Sequence, residues 1–286
     1  MAPAVHPGTE GAELEAQVIN RIEPHASRHD APSVLDLPHF RLIAVRVGAV
    51  DLEAALEAVG RWIAARRAAY VCFRDVHGLM LCRDDPELHA IHERADLVAP
   101  DGMPLVWAGR LIGVRRIGRV CGPDFLPALC AQGLELGYRH FFYGGGPGVA
   151  ERLATRLKER FPGLAVAGIH TPPFRPLTDE EDREVVKRIN ESGADVVWVG
   201  LGTPKQERWM AEHRARLRPT VLLGVGAAFD FHAGAVRRAP VWMQRSGLEW
   251  LFRLVSEPRR LWRRYLVLAP RFVGLVVLQL LGLRGG

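Results

Sequence analysis

The chain has 286 residues, 48% hydrophobic and 24% charged, with a formal net charge of +6. That is enough to bury a sizeable core and is ordinary for a globular protein. The charge is uneven: from Arg237 onward there are ten Arg, no Lys and two acids, so residues 1–236 are slightly acidic, which argues against a nucleic-acid surface spread over the fold.

Residues 1–38 read as a flexible leader. Their Ala-, Pro-, His- and Glu-rich start has no apolar h-region, so it is neither a signal peptide nor a spanning segment. Arg41–Val50 alternates and reads as a first strand, and Asp51 can cap the helix carrying Leu52, Leu56, Val59 and Ile63. Tyr70–Phe73 is a short strand, followed by a helix with Leu79, Leu88 and Ile91 that is interrupted near Asp85-Pro86. Asp96–Pro100 is a third strand, and helical stretches follow around Leu105–Leu111 and Phe125–Leu136. His140–Tyr143 is a strand running into Gly144–Gly148, Val149–Phe161 an amphipathic helix, and Ala165–Ile169 another strand. Thr178 and Glu181 form a capping box for the next helix. Ala194–Val199 is a strand, a helix starts near Lys205, and Thr220–Val225 closes the series.

Short apolar strands alternating with helices imply an α/β fold: a Rossmann-like, largely parallel sheet with helices on both faces. This core is assigned to 39–240, and a basic helical, membrane-binding appendage to 241–286. In such sheets ligands sit beyond the carboxyl ends of the strands. Four of these strands end in polar or glycine turns, at Asp101-Gly102, Gly144–Gly148, Gly200–Thr203 and Gly224–Asp230.

Each motif has a bland alternative. Gly144, Gly145 and Gly146 can bring backbone N–H groups to a phosphate, or can simply make a tight turn; their spacing fits neither a dinucleotide fingerprint nor a P-loop. Asp101 is placed to act as a general base or to bind a hydroxyl, and it could equally cap the next helix; Asp124 reads first as a cap. His77 is a secondary candidate. Lys205 at a helix start runs against the helix dipole unless an anion is present. The four cysteines lack C-x-x-C spacing, so inert thiols in a reducing compartment are expected, and no D-x-D pair or metal-spaced cluster occurs. In the tail, Arg253, Arg260 and Arg264 share a face on a continuous helix, and Phe272–Leu283 is apolar but too short to span a bilayer. Attachment to a membrane surface is the expectation, with an extra core helix and solvated arginines as its rival.

Together, Asp101-Gly102-Met-Pro-Leu-Val, Gly118-x-x-x-Gly122-Pro-Asp124, Phe-Phe-Tyr-Gly144-Gly, Gly200-Leu-Gly-x-Pro-Lys-Gln206-Glu-x-Trp209, Gly224-Val-Gly-Ala-x-Phe-Asp230 and the Arg-Arg-Ala-Pro…Gly-Leu-Glu-Trp-Leu-x-Arg run resemble the WecG/TagA/CpsF glycosyltransferases (glycosyltransferase family 26). The resemblance covers roughly residues 41–270. It implies an inverting, metal-independent transfer from a UDP-sugar to a polyprenyl-diphosphate-linked saccharide, in bacterial surface polysaccharide synthesis at the cytoplasmic face of the membrane. No cofactor is expected beyond the UDP-sugar co-substrate. By the family pattern Asp101 is the base, and Gln206 and the Gly144–Gly148 turn line the donor pocket. Arg119 lies near substrate phosphates, and Arg253, Arg260 and Arg263 complete the site over the diphosphate. Gly102, Asp124, Gly202, Lys205 and Asp230 belong to the same motifs and are expected to line substrate. The pattern departs at Arg74-Asp75, where many relatives carry Thr and a small residue or Asn, so no contact there is carried over. The rivals are a nucleotide-dependent oxidoreductase and a non-catalytic lipid-binding module. Homo-oligomers are common in the family, and the state here is left open.

Overall fold

The first element departs from its sequence pattern. The run 41–50, expected as one strand, is a two-stranded antiparallel hairpin of β1 (His39–Leu42) and β2 (Val45–Gly48). The chain reverses at Ile43 and Ala44, whose φ angles are 44° and 73°. Neither Gly nor Asn marks this turn, so alternation hides it. A β-branched residue in the left-handed region is strained, and help comes from far along the chain. Gln279 accepts the Ile43 N–H at 2.7 Å and donates to the Arg41 carbonyl at 2.9 Å.

The computed structural model describes residues 37–218 and 220–283; apart from its last two residues, the leader assigned to 1–38 lies outside them. Strands β3 (Ala69–Arg74), β4 (Leu97–Pro100), β5 (Arg139–Gly144), β6 (Ala165–His170), β7 (Val196–Gly200) and β8 (Val221–Gly224) form one sheet in the order β4-β3-β8-β7-β5-β6. Every neighbouring pair is parallel, which is the expected α/β architecture. The register sets Arg74 beside Pro100, Val199 beside Gly224, and Gly144 beside Gly200. The carboxyl ends therefore emerge along one edge, where the polar turns gather.

Helix α1 (Leu52–Ala64) is capped by Asp51, which accepts the Ala54 N–H at 2.9 Å. The interruption at Asp85-Pro86 separates α2 (Val76–Asp84) from α3 (Pro86–Glu93). Then come α4 (Met103–Leu111), α5 (Gly122–Leu136), α6 (Val149–Arg160), α7 (Asp179–Ser192) with its Thr178–Glu181 capping box, α8 (Lys205–His213) and α9 (Ala228–His232).

The tail is not the continuous helix on which Arg253, Arg260 and Arg264 would share a face. It comprises α10 (Val241–Arg245), α11 (Glu249–Ser256), α12 (Pro258–Arg263), a π turn (Arg264–Leu268) and α13 (Ala269–Leu280). Pro258 explains the break: it lacks an N–H and disfavours helical geometry at Glu257, whose φ and ψ are −136° and 57°. The last helix returns to the core. Phe272 and Val276 pack with Leu42, Val45, Leu79 and Met80, each worth roughly 1.5–3 kcal/mol of apolar burial. Residues 241–283 thus belong to the same unit as the sheet, while Val273, Val277 and Leu280 stay exposed. Among the described residues no helix is long and apolar enough to cross a membrane.

Candidate active site

The glycine turns are built by close approach. At Gly144, with φ of 118°, a β-carbon would fall 2.7 Å from the Gly200 backbone. Gly145 donates its N–H to the Gly200 carbonyl at 2.9 Å, while Gly146 leads toward α6, whose start no side chain caps. Gln206 spans the neighbouring turns. Its amide donates to the Gly224 carbonyl at 2.8 Å and accepts the Gly202 N–H at 3.2 Å. Because Gln206 is buried, it braces the turns around the proposed pocket rather than presenting its amide to solvent. Lys205, at the first residue of α8, is exposed.

Asp101 follows the last residue of β4 and donates its backbone N–H to the Arg74 carbonyl at 2.7 Å. The helix-cap alternative fails here. Gly102, with φ of 126°, occupies the cap position of α4, and no side chain bonds there. The Asp101 carboxyl makes no hydrogen bond or ion pair with the described residues. Burial pushes its pKa up to about 6, with Arg119 and Arg74 pulling it down and Glu249 and Asp124 pushing it further up.

Beside it lies a closed ring of charge. Asp124 accepts from Arg119 at 2.7 Å and also from Arg238, while Glu249 accepts from Arg119 at 2.9 Å and from Arg238 at 3.1 Å. The Cys121 thiol donates to Asp124 at 2.9 Å. Asp124 is therefore no helix cap. Burial pushes it up, but the bonds from Arg238 and Cys121 and the two arginine charges outweigh that, so it stays below the usual carboxylate range. The ring joins Arg238 and Glu249, at the start of the tail, to Arg119 and Asp124, in the link between α4 and α5 and the first turn of α5.

At the end of β3, the fully buried Arg74 pairs with buried Glu207 and donates to the Thr203 hydroxyl at 3.1 Å. Asp75 accepts the Gly78 N–H at 2.9 Å and pairs with Arg264 of the tail. His77, in the first turn of α2, is held below its ordinary value by burial and by Arg74, which keeps the ring neutral at physiological pH.

The tail arginines divide. Arg253 lies over the Phe231 ring at 5.8 Å. Arg260 pairs with Glu257, and its charge reaches Asp230, which burial raises and Arg260 lowers. Arg263 is exposed and lies over Trp262 at 5.3 Å. Sequence reading passed over Arg74, Glu207, Arg238, Glu249 and Arg264 as site residues. A signal existed for four of them: Glu207 stands in the Gly200…Trp209 run, Arg238 and Glu249 in the Arg-Arg-Ala-Pro…Gly-Leu-Glu-Trp run, and Arg264 in the spaced arginine series. What no local pattern marked is the pairing of Arg74 with Glu207, because the two are 133 residues apart.

Two recesses, of about 490 and 330 Å³, lie away from these groups, one between α1 and α5 and one against α7. Among the described residues no three His, Cys, Asp or Glu groups gather in a set that could hold a metal ion.

A parallel α/β sheet whose carboxyl edge carries glycine turns, a partnerless carboxyl and converging guanidinium groups is the frame of a group-transfer enzyme. The model of the Glycosyl transferase WecG/TagA/CpsF family matches residues 40–286, and the chain belongs to this family of glycosyltransferases. Among curated relatives it is similar to the N-acetylglucosaminyldiphosphoundecaprenol N-acetyl-beta-D-mannosaminyltransferase of Bacillus spizizenii. The two are 35% identical over 193 residues, 68% of this chain and 72% of the relative. Family membership sets aside the oxidoreductase and the non-catalytic lipid module.

Proposed function

We propose that the protein moves an N-acetylhexosamine or related hexose from a UDP-sugar to a polyprenyl-diphosphate-linked saccharide, with inversion at the transferred carbon. The observation that carries this reading is the state of Asp101, the carboxyl at the strand ends that has no hydrogen-bond or ion-pair partner among the described residues and is held near a working pKa. Its carboxylate accepts the proton of the acceptor hydroxyl as that oxygen attacks the anomeric carbon. The bond from that carbon to the diphosphate breaks, and the electron pair leaves with UDP.

Charge developing on the leaving diphosphate is answered by fixed donors. Gly146 and Gly148 of the glycine turn supply backbone N–H groups, and Arg253 and Arg260, with Arg263 nearby in the chain, supply guanidinium charge, so no metal is required. Arg119 and Arg238 are held by the ring in a fixed place beside the base. The relative's name supports an acceptor of polyprenyl-diphosphate-linked N-acetylglucosamine and a mannosamine-type donor. The exposed Val273, Val277 and Leu280 of α13 and the arginines of α12 support peripheral attachment to the membrane in which such an acceptor sits.

The test is turnover of a UDP-sugar panel, UDP-N-acetylmannosamine included, against polyprenyl-diphosphate-linked N-acetylglucosamine in the presence of EDTA. The expected result is UDP release with an inverted glycosidic product and an unchanged rate under chelation. Lack of transfer from every donor would remove the proposal. A rate that collapses in EDTA and returns with Mg²⁺ would remove its metal-independent form.

A further inference from the structure

Helix α4 starts two residues after Asp101, and one of its faces carries large apolar side chains exposed to solvent. Trp107 and Leu111, one turn apart, are 47% and 68% exposed. An adjoining face carries Leu105 and Ala108, which share a core cluster with Phe272 and Val276 of α13. Toward α10 and α11, Gly247 lies so close that a β-carbon on it would meet the Trp107 ring at 3.0 Å and Met103 at 3.2 Å. The helix therefore touches both ends of the tail, and Trp242 of α10, 63% exposed, belongs to the neighbouring segment.

Arginines outnumber acids along this face: residues 102–123 contain four arginines and no acid, and residues 258–283 contain five arginines and no acid. Of the five, Arg264 and Arg271 pair with Asp75 and Asp84, and Arg260 with Glu257. Arg119 is taken by the ring and Arg110 donates to the Ile117 carbonyl at 3.4 Å. Arg115 and Arg116, in the loop after α4, are exposed and make no ion pair with the described residues. An apolar strip carrying tryptophan and edged by unpaired guanidinium groups matches an acyl layer beneath anionic headgroups. An acidic protein partner would match the charge but would not call for the apolar tail residues exposed alongside.

We propose that the Trp107–Leu111 face of α4, with Arg115 and Arg116, is a second lipid-contacting surface that seats on an anionic bilayer beside the tail. It deepens the membrane reading above and rests on it. Along α4 the rise from Met103 to Trp107 is about 6 Å. The lipid-facing strip thus lies on the helix that begins two residues after the base, which brings a membrane-anchored acceptor within reach of Asp101.

The test is co-sedimentation of the full-length chain with phosphatidylcholine vesicles, with and without phosphatidylglycerol. The unmodified protein is expected to bind the anionic vesicles. Arg115→Gln with Arg116→Gln should weaken that binding about thirtyfold, at roughly 1 kcal/mol per arginine, and spare binding to neutral vesicles. Trp107→Gln with Leu111→Gln should weaken both by at least about tenfold. Thermal melting checks that each variant folds, and the loop arginine pair serves if the helix variant does not. If both variants bind as the unmodified protein does, the tail alone holds the membrane: the inference fails and the membrane reading stands. If the unmodified protein binds neither vesicle, both fail. If the helix variant binds vesicles normally but loses self-association in sedimentation velocity, the face joins copies of the chain and the inference is overturned.

Discussion

Two neighbouring parts of the sheet's carboxyl edge treat carboxylates in opposite ways. In the ring, Asp124 and Glu249 are each held by both Arg119 and Arg238, and Asp124 is kept below the usual carboxylate range. At the end of β4, Asp101 has no such partner and is pushed up to about 6 by burial. Sequence places both acids within two residues of a glycine at a helix start, so residue type alone does not separate them. Environment does. An acid whose charge is answered within the protein serves the architecture, and one left unanswered at a strand end is available to a substrate.

The largest expected effect comes from removing the unanswered acid. Asp101→Asn should lower kcat by about 10²–10⁴-fold and stabilise the protein. The folded pKa of about 6 lies above the unfolded carboxylate value, so the ionised form costs stability that grows as pH rises from about 4 to 6. Above that window the Asn variant should gain up to about 3 kcal/mol, read as a higher Tm; below pH 4 the gain should vanish. An answered charge should behave in the opposite sense. Glu207→Gln leaves Arg74 buried without its counter-charge and should cost about 3–5 kcal/mol in denaturant unfolding.

Smaller effects sharpen the contrast. Glu249→Gln opens one side of the ring and should cost about 1–2 kcal/mol, because these groups are partly exposed. Since the Glu249 charge helps raise Asp101, the same variant should move the acid limb of the pH–rate profile to lower pH. A ring variant that leaves this limb in place would separate the two regions. Smallest is Gln279→Leu, which removes two hydrogen bonds to the β1–β2 turn and should cost about 1–2 kcal/mol in Tm-derived stability with little change in kcat.

Much of this organisation was legible in the chain. Short apolar runs alternating with helical periodicity marked the parallel sheet, and glycine or polar turns marked the carboxyl ends of four of its strands. Asp51, Asp85-Pro86 and the Thr178–Glu181 box announced themselves through local rules. What stayed hidden depended on distant partners. The hairpin turn at Ile43-Ala44 is held by Gln279, 236 residues away, and the buried Arg74 makes sense only with Glu207 opposite. The cap readings of Asp101 and Asp124 were reasonable for isolated segments, yet the cap of α4 is Gly102 and the carboxylate of Asp124 goes to arginines. In the tail, Glu257-Pro258 carried the signal for a break, and regular arginine spacing obscured it.

The central claim is that Asp101 is the base and works with a raised pKa. The most direct measurement is the pH dependence of kcat/KM for sugar transfer to the lipid-linked acceptor, which reports ionisation in the free enzyme. A single-proton acid limb centred at about pH 6 is expected, with full activity above it and none restored by Asp101→Asn. A profile flat down to pH 5, or a limb near pH 4, would contradict it.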